Sequence, residues 1–147
     1  MIKRTDKPTL MIVDDEQNFT ESLRLAIEDA YRVSVAGSLE HAREFLKNSM
    51  PDAILLDLRL PDGNGVELLR ELQAFSRLPV VIIMTALGTA DSFIKAQHGG
   101  AVDYFSKPLD ISELKKVLKI ELEKKDLAER PSGKEVNTVK QPALFNG

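Results

Sequence analysis

Short strand-like runs that each stop at a polar residue set the tightest limit on this chain. TLMIV (9–13) runs into Asp14 and Asp15, AILL (53–56) into Asp57, VVIIM (80–84) into Thr85, and VDYFS (102–106) into Lys107. Runs this short and this apolar read as strands buried on both faces, and VVIIM is the best candidate for a central one. RVSVA (32–36) alternates apolar and polar residues and belongs nearer an edge. Stretches with helical period separate the runs. They cover 17–29, where Phe19, Leu23, Ala26 and Ile27 share a face; 38–49, with Ser38 as N-cap; and 66–75, after the DGNG loop at 62–65. A weaker helix over 90–98 stops at Gly99-Gly100, and the longest covers 111–129. Five strands alternating with five helices imply an α/β fold with a doubly wound parallel sheet, helices on both faces, in three layers.

In a parallel sheet all strands end at the same edge, and ligands bind there, outside the carboxyl ends. The topology therefore gathers three carboxylates (Asp14, Asp15, Asp57), the Thr85 hydroxyl and the Lys107 ammonium. Two like charges about 4 Å apart repel by about 4 kcal/mol at an effective dielectric near 20. A hard divalent cation offsets this. Mg²⁺ takes oxygen ligands, is held by one or two carboxylates, and keeps positions for water and phosphate. A carboxylate beside such an ion and an ammonium is a potential nucleophile toward phosphorus, forming an aspartyl phosphate. Metal and lysine would neutralise the charge on the transferring group, and Thr85 would donate to a phosphoryl oxygen. Each residue alone has a plainer reading. DDE before a helix is an N-cap with acidic first-turn residues, a lone Asp after a strand is a turn residue, Thr85 alone caps a helix, and Lys107 alone is a solvated charge. Capping, however, has no use for Lys107.

The remaining composition narrows the classes. A chain of 147 residues holds one ordinary domain, and a net charge of −3 makes no electrostatic case for nucleic acid or an anionic membrane as partner. There is no cysteine, so disulfides and thiolate metal sites are excluded. No apolar stretch is long enough to span a membrane and the N-terminus lacks a signal core, which makes a cytoplasmic protein the default. A dinucleotide-binding module or a P-loop nucleotidase needs glycines after the first strand, and VDDEQNF has none.

DD at 14–15, LLDLRLPDGNG at 55–65, MTA at 84–86 and AVDYFSKPL at 101–109, in this order and spacing, resemble the response-regulator receiver domain of two-component signalling. The resemblance covers residues 8–127, leaving 1–7 as an N-terminal extension and 128–147 as a linker or disordered tail. It implies a flavodoxin-like sandwich with strand order 2-1-3-4-5. It makes Asp57 the phosphoacceptor for a sensor histidine kinase, a phosphotransfer protein or a small acyl phosphate. Asp15, Asp57 and the backbone carbonyl of Arg59 would ligate Mg²⁺, with Asp14 acting mainly through water. Thr85 and Lys107 would hold phosphoryl oxygens, and Ala86 would keep the site open. Pro61 and Gly65 match the family's loop after the acceptor, and the Lys107–Pro108 bond would be cis. Tyr104, otherwise a half-buried strand aromatic, would swing inward as Thr85 moves toward the phosphoryl group. Arg59 and Leu87 fall where the family tunes loss of the phosphoryl group, and their bulk implies a slow loss.

In the last helix Ile111, Leu114, Leu118 and Leu122 form a core-facing stripe. Beyond Ile120 the helix is expected to outrun the sheet, with IELEKKDLAER mixing charges and leucines as an interdomain or dimer helix does. The family's usual homodimer uses helix 4, strand 5 and helix 5. DLRLPDGNGVELLREL followed by LPVVIIMTALG is similar to receivers on enhancer-binding transcription activators. Two readings compete. A degenerate receiver that binds a partner without phosphorylation would lack one of the acidic or lysine positions. A Mg²⁺-dependent aspartyl phosphatase would carry a second acid just after the nucleophile, where this chain has Leu58 and Arg59.

Overall fold

The structure is a computed structural model that describes residues 6–86 and 88–129. Leu87, most of the N-terminal extension and nearly all of the expected tail lie outside the described residues.

Five strands, β1 (Thr9–Val13), β2 (Arg32–Ala36), β3 (Ala53–Leu56), β4 (Val80–Thr85) and β5 (Asp103–Ser106), form one sheet in the order β2-β1-β3-β4-β5. All four neighbouring pairs are parallel. RVSVA takes an edge, as its alternation predicts. VVIIM is interior, but β3 occupies the middle of the sheet. Five helices connect the strands: α1 (Gln17–Ile27), α2 (Leu39–Asn48), α3 (Val66–Leu72), α4 (Ala90–His98) and α5 (Ile111–Glu129). A two-residue antiparallel ladder, Arg59–Leu60 with Gly63–Asn64, follows β3.

Alternate residues of the central strands enter two separate cores. Met11, Val13, Ile54, Leu56, Val81 and Ile83 meet Leu39 and Ala42 of α2, Leu68, Leu69 and Leu72 of α3 and Ala96 of α4. Leu10, Ile12, Leu55, Ile82 and Met84 meet Leu23 and Ile27 of α1 and Leu114, Leu118 and Leu122 of α5. Burial on both faces is why these strands carry no polar alternation. Each such side chain contributes about 1.5–3 kcal/mol on leaving water.

Several expectations need correction at their ends. α1 stops at Ile27 rather than Asp29 and α3 at Leu72 rather than Phe75, because turns follow each final buried residue. β5 begins at Asp103, not Val102, and β4 runs one residue further, to Thr85. α5 stays in the core two residues past Ile120, and its residues after Leu122 are exposed apart from half-buried Lys125, with Leu127 60% exposed. Leu122 is buried in the core, and Glu129 is tied to Arg77 of the α3–β4 loop at 2.8 Å and to Lys125 at 2.8 Å. Ser38 caps α2 as expected, accepting from the His41 amide.

Register sets the functional edge. Val13 lies beside Leu56 and Leu56 beside Ile83. Asp14 and Asp57 therefore leave the sheet side by side, and the Asp57 amide donates to the Val13 carbonyl at 2.9 Å. The Lys107 amide donates to the Thr85 carbonyl at 3.0 Å, bringing the lysine in from β5.

Candidate functional site: an acidic cleft at the carboxyl edge of the sheet

Asp14, Asp15 and Asp57 each offer a carboxylate oxygen, and these oxygens lie within 4.8 Å of one another. Asp14 and Asp57 are buried and Asp15 is exposed. Lys107 reaches across from β5. Its Nζ donates to Asp14 Oδ2 at 2.6 Å and to Asp57 Oδ2 at 3.1 Å, and lies 3.8 Å from Glu16 Oε1. The Phe19 ring covers the same ammonium, 4.2 Å from Nζ to its centroid, a cation–π contact from the first turn of α1. The other oxygens of the buried acids are also held: Asp14 Oδ1 accepts from the Glu16 amide at 2.9 Å and Asp57 Oδ1 from the Arg59 amide at 3.1 Å. The cleft around these groups measures about 370 Å³, and Arg59, Pro61 and Ala86 form part of its wall.

The electrostatics follow from burial. Desolvation pushes the Asp14 carboxyl above its ordinary range. The hydrogen bonds from Lys107 and the Glu16 amide pull it back only in part, and the charge of Asp57 adds to the rise. Burial alone would lower Lys107. Its hydrogen bond to Asp14 and the charges of Asp14 and Asp57 outweigh that and hold the ammonium above its ordinary range. Four carboxylates (Asp14, Asp15, Glu16 and Asp57) line the cleft against two cations (Lys107 and Arg59), which leaves it short of positive charge. The donor set at this point is oxygen only, without a histidine or cysteine, which is the chemistry of a hard divalent cation. The residues therefore fit Mg²⁺.

Thr85 ends β4 fully buried, and its Oγ1 has no hydrogen-bond partner among the described residues. An unpaired buried hydroxyl costs about 1–3 kcal/mol. It does not cap the next helix, because Thr89 does that, in a reciprocal capping box with Ser92. Tyr104 is half-buried on β5. Its hydroxyl lies 3.0 Å from Ser92 Oγ, and its ring meets Phe93 edge-on at 5.2 Å. Gly88 makes room for that ring, since a Cβ there would collide with the phenol. The Lys107–Pro108 bond is cis.

The structure thus brings Asp14, Asp15, Asp57, Arg59 and Lys107 to one cleft. Thr85 lies at the end of the neighbouring strand, and Tyr104 packs against the β4–α4 loop and α4. The acids do little ordinary capping, since Glu16 occupies the N-cap of α1 without a side-chain cap bond. Glu16, Phe19 and Ser92 join this neighbourhood although no motif marks them. Only the helical spacing from Asp15 to Phe19 places that ring within reach of the edge, and the same spacing reads as core.

A profile of the response regulator receiver domain matches residues 10–119. The KDP operon transcriptional regulatory protein KdpE of Escherichia coli is 38% identical over 123 residues, 83% of this chain and 54% of that protein. The chain spans about half or less of the curated relatives it matches. A CheY-like receiver domain protein from Methanospirillum hungatei superimposes with a TM-score of 0.80, covering 84% of this chain and 99% of that one at 23% identity. The beryllofluoride-activated NtrC4 receiver domain dimer gives 0.74 at 30% identity, covering 80% and 98%. Sequence, fold and the acidic cleft agree: the chain belongs to the response regulator receiver domain family.

Proposed function

We propose that this chain is a phosphoacceptor switch in which Asp57 takes a phosphoryl group from a sensor histidine kinase, a phosphotransfer protein or a small acyl phosphate. The observation that carries this reading is the Lys107 ammonium, held by Asp14 and Asp57 at the ends of adjacent strands. An Asp57 oxygen attacks phosphorus, and the bond to the donor nitrogen or oxygen breaks with its electron pair leaving on that atom. Asp15, Asp57 and the Arg59 carbonyl, with Asp14 through water, would hold Mg²⁺, which when bound supplies charge neutralisation at the transferring group. Lys107 moves its ammonium from the carboxylates onto one phosphoryl oxygen, and the unpaired Thr85 hydroxyl donates to another. Ala86, small at the wall, leaves access for the donor.

Thr85 moving toward the phosphoryl group opens space that Tyr104 fills, at the expense of its contact with Ser92. Phosphate thereby favours one of two packings of the α4–β5–α5 face. Phe93, Ile94, Val102 and Ile120 on that side are large, apolar and exposed, which supports a homodimer formed there; the beryllofluoride-activated NtrC4 receiver domain is itself a dimer. The output is transcription control through a further domain or partner, in keeping with relatives named as transcriptional regulators. This segment makes no direct nucleic-acid contact. It acts as a regulator rather than an enzyme.

Incubation with acetyl phosphate and Mg²⁺, followed by intact-mass measurement, tests the reading. Wild type gains one phosphoryl group and Asp57→Ala gains none. No adduct on wild type supports the degenerate receiver, and repeated turnover of a phosphate ester supports the phosphatase. Sedimentation that finds a monomer with and without beryllofluoride rejects the dimer.

A further inference from the structure

The loop that follows Asp57 is anchored from outside the cleft. Asp62 accepts the Leu39 amide on Oδ1 at 2.8 Å and the Glu40 amide on Oδ2 at 3.0 Å. Both donors belong to the first turn of α2, so a side chain of the acceptor loop caps a helix more than 20 residues away in the chain. Those backbone hydrogen bonds hold the Asp62 carboxyl below its ordinary range. Its neighbour Gly63 has φ +150 and sits so near Leu39 Cδ1 and Glu67 that a Cβ would not fit. Asn64 donates its amide to Glu67 Oε2 at 3.3 Å and accepts the Val66 amide at 2.8 Å. The short ladder pairs Asn64 with Arg59 and Gly63 with Leu60. A continuous path therefore runs from the α2 amides through the Asp62 carboxylate, the adjoining chain and the ladder to Arg59, whose amide holds Asp57 Oδ1.

We infer that Asp62 is a positioning residue for the cation site, holding the Arg59 backbone in place by gripping the N-terminus of α2. The inference rests on the receiver reading, in which Arg59 supplies a metal ligand. Groups behind a ligand fix its orientation, and their loss typically weakens metal binding about 10-fold or more. Coupling is reciprocal, so a bound cation also tightens the first turn of α2. Capping of α2 by itself has an independent handle in Ser38, which accepts the His41 amide and, among the described residues, makes no side-chain hydrogen bond to the loop.

Mg²⁺ titration of wild type, Asp62→Ala, Asp62→Asn and Ser38→Ala by calorimetry is the test, with amide exchange at Leu39 and Glu40 followed in parallel. Asp62→Ala should weaken Mg²⁺ about 10-fold, while Asp62→Asn, which keeps one acceptor, recovers part of the loss. Ser38→Ala should destabilise α2 and leave the Mg²⁺ affinity within about twofold. In wild type, Mg²⁺ should slow exchange at Leu39 and Glu40. Unchanged affinity in Asp62→Ala, or an equal loss in Ser38→Ala, overturns the inference while leaving the receiver reading intact. A wild type that binds no Mg²⁺ overturns the cation site beneath it.

Discussion

Replacing Lys107 with methionine keeps an apolar stem and removes the charge, so it isolates what the ammonium does for the cleft. The ammonium sits 2.6 Å from Asp14 and 3.1 Å from Asp57, whose side chains are 0% and 8% exposed. Each attraction is on the order of 5 kcal/mol at an effective dielectric near 20, and desolvation of the ions offsets most of it. Removing one partner is different: the carboxylates stay buried and face each other, at a cost of about 3–5 kcal/mol. Asp15 at the mouth is exposed and can be reached by water, so the lower end applies, about 3 kcal/mol, or about 10 °C in Tm for a domain of this size. Asp14 carries most of the loss. Its folded-state pKa is raised, so the native protein binds the proton more tightly than the unfolded chain. The penalty is therefore full above the folded pKa and fades as pH falls through it toward the unfolded value. Without Lys107 the folded value rises further. The deficit of Lys107→Met should be complete at neutral pH and shrink on acidification over a wider window than in wild type. Thermal melts followed by circular dichroism in EDTA, at neutral and mildly acidic pH, measure this. Asp14→Asn added to Lys107→Met should restore at least half of the loss. A Lys107→Met protein that melts with wild type at neutral pH, or one that Asp14→Asn does not rescue, refutes the reasoning.

Thr85→Val removes a buried hydroxyl that lacks a partner and should raise metal-free stability by about 0.5–1.5 kcal/mol in urea unfolding; a loss would contradict its unpaired state. Thr85→Ala should still be phosphorylated on Asp57 yet no longer transmit the change to Tyr104, read as NMR shifts around β5 and α4. Gly65→Ala places a Cβ 2.5 Å from the Asp57 carbonyl and 3.2 Å from Leu56, costing about 3 kcal/mol, and a variant as stable as wild type would show that the loop yields. Arg59 stands at the cleft wall two residues after the acceptor, and the phosphoryl group should persist for many minutes in a radiolabel decay assay. Disappearance within seconds argues against shielding by that side chain.

The order of elements and the identity of the site were legible from the chain because both follow from local rules. Short runs of four to six residues between helical stretches read as strands, buried on both faces in β1, β3 and β4 and partly exposed at the edge in β5; a parallel sheet ends all of them at one edge, and the residue after each run is thereby placed. Asp14, Asp15, Asp57 and Lys107 needed nothing more, and the RVSVA alternation put β2 at the rim. Hydrogen bonding across elements decided the rest. The two-carboxylate grip on Lys107, the ring of Phe19 above it, the reach of Asp62 to α2 and the contact between Tyr104 and Ser92 all join residues whose distance depends on register and helix packing. The same holds for α5, whose apolar period weakens after Leu122 but whose end is kept on the body by Arg77 and Glu129. Periodicity records which side of a residue meets the core. Which partner it meets there is settled only when the layers close, because a side-chain contact depends on fractions of an ångström that a pattern of apolar and polar residues does not carry.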